Sequence, residues 1–123
     1  MDQKYLDQMK CFIEEVEYDY YAAQPAWYGH CLCYEFCDEM FLKMLGFLEI
    51  FDPDNYNSIS ELRKANFQEI RSLDQAIKDT SDNATAADLW HALENEDQRY
   101  WQHFDLCFQK FCAIYESLGG SLE

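Results

Sequence analysis

Between Trp27 and Phe51 the chain reads WYGHCLCYEFCDEMFLKMLGFLEIF, and this stretch limits the fold more than any other. Tyr34, Cys37, Phe41, Met44, Leu48 and Phe51 recur at spacings of three and four, the period of a helix with a buried stripe. Cys33, Phe36, Met40 and Phe47 form a second apolar face beside the first, confining polar side chains to a strip of Glu35, Asp38, Glu39, Lys43 and Glu49. A helix so nearly apolar all round must lie inside a bundle or at a subunit interface.

The flanking sequence supplies partners for it. Leu6, Met9, Ile13, Val16 and Tyr20 follow the same alternation and predict a first helix over about 2–22, with a short turn at Pro25 before the second helix at about 26–51. The turn formers DPDNYNS follow, and Ser58 with Glu61 reads as a capping box, so a third helix is expected over about 59–79 on the stripe Ile59, Leu62, Ile70, Leu73 and Ile77. After the linker DTSDNAT, Thr85 with Asp88 offers a second cap. A long last helix over about 85–118 then carries Leu89, Leu93, Tyr100, Phe104, Phe108, Phe111, Tyr115 and Leu118 on one face, interrupted at Asp97. Its length requires an overhang, a kink near Glu94–Asp97, or a second subunit. Gly119 and Gly120 mark its end. No strand-like alternation and no internal repeat appears, and the connections are short. The expectation is one all-α domain over 1–123, a four-helix bundle with up-down-up-down topology and a long C-terminal helix.

Charge narrows the function classes. There are 24 acidic and 9 basic side chains, a net charge of −15, and the excess runs through every part of the chain rather than a tail. Such a field repels nucleic acid and anionic membrane and steers basic surfaces inward, most strongly at low salt. Direct nucleic-acid binding and membrane association are therefore not expected. The opening MDQKYLDQMK has no basic start followed by an apolar core, no run is long enough to span a membrane, and Cys31, Cys33 and Cys37 lie too close on one helix to bridge. A cytoplasmic protein with reduced thiols is expected, most of them small core hydrophobes.

Sites for chemistry are sparse. Cys33 with Cys37 and His103 with Cys107 are i,i+4 pairs that could jointly present four tetrahedral ligands to zinc, but no CxxC knuckle is present and Cys37 belongs to the buried stripe. No metal or other cofactor is expected. A nucleophile elbow and a phosphate-cradling glycine loop are both missing. Glu14 and Glu17 on the first helix, and Glu35 and Asp38 on the second, form ExxE and ExxD pairs that facing helices could use to share magnesium and a polyphosphate. This pattern, over residues 14–48, resembles the metal motif of the all-α nucleoside triphosphate pyrophosphatases. The resemblance implies a magnesium-dependent pyrophosphohydrolase, although the phosphate-holding Lys and Asn of that family find only Lys64 and Asn66 as nearest counterparts. The plainer reading of these carboxylates is a solvated helix face, and no enzyme activity is the expectation.

What remains is a surface of carboxylates interleaved with aromatics, EEVEYDYY on the first helix and ENEDQRYW on the last. Tyrosine and tryptophan anchor protein interfaces, and carboxylates pair with the Arg and Lys of a nucleic-acid-binding groove. The leading expectation is a small inhibitor of a basic protein, a nuclease or other nucleic-acid enzyme, acting as a toxin-immunity protein or a phage-encoded anti-defence protein. Its partner-binding residues are Glu14, Glu15, Glu17, Tyr18, Asp19 and Tyr21, then Glu94, Glu96 and Asp97. A helical structural or adaptor subunit, including a homodimer, is the other alternative.

Overall fold

The computed structural model describes residues 2–18 and 33–122, with the side chains of 33–37 not among those described. Every regular element in these residues is a helix: α1 (Gln3–Val16), α2 (Cys33–Phe51), α3 (Pro53–Asp79) and α4 (Asn83–Ser117). Together they form the expected all-α up-down bundle.

The helix boundaries follow local chemistry, at two places not in the way the sequence suggested. DPDNYNS is not a turn. One residue, Asp52, separates α2 from α3, because Pro53 takes the first helical position, where its fixed φ fits and its missing N–H is not needed, and Asp54 lies in the first turn near the positive end of the helix. Asn55 Nδ2 donates to Asp52 Oδ2 at 2.7 Å, and Ser58 is an exposed residue inside the helix rather than its cap. Helix α4 likewise starts earlier: Asp82, not Thr85, is the N-cap, and its Oδ2 accepts from the Thr85 backbone N–H at 3.0 Å and from its hydroxyl at 2.5 Å. Those two bonds hold the Asp82 carboxyl below its usual range. Residues 19–22 of the first expected helix and 26–32 of the second lie outside the described residues.

Helices α2 and α4 run parallel, since Phe41 meets Phe104 at 5.6 Å and Phe47 meets Phe111 at 5.1 Å between ring centroids. The single-residue joint and the short 80–82 connection set α3 antiparallel to both. Helix α1 lays Leu6, Met9, Ile13 and Val16 into the bundle, and its rings Tyr5 and Phe12 meet Phe47 of α2 and Phe111 of α4. The core is one cluster of aliphatic, Met and Phe side chains around the buried ring of Tyr100. Helix α4 is unbroken through 94–97, and its buried residues run from Glu96 to Tyr115; ahead of them Leu89 and Leu93 are half-buried and Trp90 is exposed. It ends as expected, with Gly119 at φ 101° and its N–H bonded to Glu116 O. A Cβ on Gly120 would lie 2.3 Å from the Tyr115 ring, so any larger residue there would have to displace that ring.

Candidate functional site

Two polar clusters interrupt the apolar core, both centred on α3. In the first, Arg63 forks onto Asp38 of α2, Nε to Oδ1 at 3.0 Å and Nη2 to Oδ2 at 2.5 Å. Tyr100 of α4 adds its hydroxyl to the same carboxylate at 3.1 Å. The guanidinium lies over Phe67 at 4.9 Å and near Phe41 at 5.9 Å. Asp38 also pushes the Arg63 pKa up, mainly through the hydrogen bond, outweighing partial burial. In the second cluster Asn66, 3% exposed, donates from Nδ2 to Glu96 O at 2.9 Å and to Glu96 Oε2 at 2.8 Å, while Arg99 pairs with Oε1 of the same carboxylate. Asn66 Oδ1 is buried without a partner. His103 stands nearby, its pKa lowered mainly by burial, against an upward pull from Glu96 and with a weaker downward one from Arg99.

These clusters were only partly legible in sequence. Asn66, buried like Ile59 and Leu73 of α3, sits seven residues from each of them, a spacing that could have placed it on the same interior line although it is absent from the expected stripe. Glu96 is three after Leu93 and four before Tyr100, so the polar interruption of the stripe falls at Glu96 and not at Asp97. Asp97 is instead half-buried, and desolvation raises its pKa.

The expected partner-binding residues separate accordingly. Glu14, Glu15, Glu17 and Tyr18 are exposed on α1 and just beyond it. Asp19 and Tyr21 lie outside the described residues. Glu94 is exposed, 3.9 Å from His91. Glu96, 6% exposed and bonded to Asn66 and Arg99, faces the interior and cannot contact a partner as expected. One acidic residue was missed: Glu116 of α4, which joins Glu17 in raising the Cys112 thiol, after burial the main cause, to about 11. The acidic face therefore continues from α1 onto the end of α4, a juxtaposition no local pattern announces.

The magnesium quartet of Glu14, Glu17, Glu35 and Asp38 lies only partly among the described side chains. Asp38 is engaged by Arg63 and Tyr100, Glu14 and Glu17 are exposed on α1, and the side chain of Glu35 is not described. Of the zinc candidates, Cys107 is fully buried with its thiol pushed up to about 12 by desolvation, His103 is half-buried, and Cys33 and Cys37 are outside the described side chains. Among the described residues no group of three or more His, Cys, Asp and Glu could hold a metal ion, and no helix is long and apolar enough to cross a membrane. In comparisons with known proteins, no family model, no curated protein and no solved structure matches the chain.

Proposed function

We propose that this protein is a small cytoplasmic inhibitor that binds a basic protein, a nuclease or other nucleic-acid enzyme, and blocks it by occupying the groove meant for phosphates. One observation carries the reading. Glu14, Glu15 and Glu17 are exposed and have no counter-ion among the described residues, whereas every ion pair in those residues lies on α2, α3 or α4. Uncompensated carboxylates on one helix end make a field that captures cations, and Tyr18 beside them, 75% exposed, offers a stiff ring to anchor the contact. Toxin immunity and anti-defence fit this chemistry equally. Capture from native cytosol at low salt on immobilised protein tests it, with Glu14→Lys, Glu15→Lys and Glu17→Lys combined as the matched bait. Retention of a basic nucleic-acid enzyme on the first bait and its loss on the second supports the reading; equal retention on both removes α1 from it.

A self-associating or adaptor role is the second reading, supported by Leu42 at 49% and Ile50 at 71% exposure, two turns apart on α2 with Gly46 between. Sedimentation distinguishes it: a monomer at all concentrations rules out self-association. The pyrophosphohydrolase alternative gains nothing from the geometry of Asp38.

A further inference from the structure

Three of the nine basic side chains in this acidic chain, Arg63, Lys64 and Arg71, line a single open cleft of about 310 Å³ between α2 and α3, with Asp38 and Phe67 as its other walls. Its lining carries three positive charges against one negative in a molecule of net charge −15. We infer that this cleft is an oxyanion site for a small phosphorylated ligand, built on Arg63 and Arg71.

Three observations lead there. Arg63 is already organised: Asp38 fixes one edge of its fork and Phe67 one face, so the N–H groups that Asp38 does not take are held without further loss of side-chain freedom. Arg71 is two turns further along the same face of α3, at i+8 from Arg63, is exposed, and has no ion-pair partner among the described residues. Lys64 is bound only loosely, 3.7 Å from Glu61 with both side chains largely exposed, so an entering anion can take it over. The volume suits a small molecule rather than a chain segment. The overall negative field does not forbid this, because at physiological salt charges beyond about 8 Å are largely screened while contacts inside the cleft are not. Guanidinium groups bind carboxylates and phosphates in the same bidentate geometry that Arg63 adopts with Asp38. The site is separate from the acidic face of α1, and its occupancy does not depend on the inhibitor reading.

The probe is inorganic phosphate, titrated into the full chain at constant ionic strength and followed by the NMR signals of the arginine Nε–H groups, with AMP as a second arm. Saturable movement of the Arg63 and Arg71 signals is expected. Lys64→Gln combined with Arg71→Gln, both at exposed positions, should weaken binding at least tenfold, while Lys4→Gln with Lys10→Gln on α1 should leave it unchanged. Tighter binding of AMP than of phosphate identifies the occupant as a phosphomonoester, and equal binding as free phosphate. No saturable change with either ligand, or equal binding by the Lys64/Arg71 variant, overturns the inference.

Discussion

Arg63 is the residue on which three helices depend most directly. It ties α3 to α2 through Asp38, whose carboxylate also receives the Tyr100 hydroxyl from α4, and it covers the rings of Phe67 and Phe41. Both charged side chains are about four-fifths buried, at 21% and 18% exposure. Removing one partner of such a pair strands the other charge in a poorly solvated place, a larger loss than the pair itself contributes. Arg63→Ala should lower the unfolding free energy by about 3 kcal/mol in urea titration, and a loss within 0.5 kcal/mol, the range of an ordinary surface change, would mean the pair is solvated. The thiols give a second residue-scale expectation. Exposed Cys11 should react readily with a thiol reagent, and Cys107 and Cys112, raised to about 12 and about 11, should not. A thiol whose folded pKa lies above its unfolded value favours the folded state fully below the unfolded pKa. Stability should therefore hold up to about pH 8.5 and fall as pH rises from there toward 11 and 12. Thermal melts across pH 7–11 that stay level would contradict the burial of these two groups.

At the scale of the elements, helix starts are decided by which residue can satisfy the orphan N–H groups. Asp82 does so for α4, and Asp82→Ala should lower stability measurably, whereas Ser58→Ala, inside α3 and exposed, should leave it within the small range of an ordinary surface change. Paired denaturation curves measure both, and reversed magnitudes would restore the capping box at Ser58. The sequence made the helices legible because their apolar spacing is regular: Phe41, Met44 and Leu48 of α2 and Tyr100, Phe104 and Phe111 of α4 are buried as their period required. The boundaries were less legible, since Pro and Asp favour both turns and first helical positions, and only the context decides between them. The polar clusters were the hardest to read. A carboxylate at a stripe position looks like an interruption until its partner is known, and the Asn66 that donates to Glu96 in the core comes from another helix. Leu62 and Phe51, stripe residues by spacing, are exposed at the edges of the bundle, where the apolar arc is wider than the neighbouring helices cover.

The whole molecule separates its charges. One ion pair joins α2 to α3 and the others among the described residues lie within α3 or α4, the three basic side chains Arg63, Lys64 and Arg71 line the α2–α3 cleft, and the carboxylates at the end of α1 are left without counter-ions among the described residues, with Glu116 of α4 extending their face. Long-range attraction between such a surface and a basic groove should speed the encounter, and the effect should fade as salt screens it. The direct measurement is the association rate of the captured basic partner with the wild-type protein and with the combined Glu14→Lys, Glu15→Lys and Glu17→Lys variant, at low and at physiological salt. The expected result is a rate at least about tenfold slower for the variant at low salt, with the two proteins converging as salt rises; equal rates at low salt would contradict an acidic α1 surface as the site of binding.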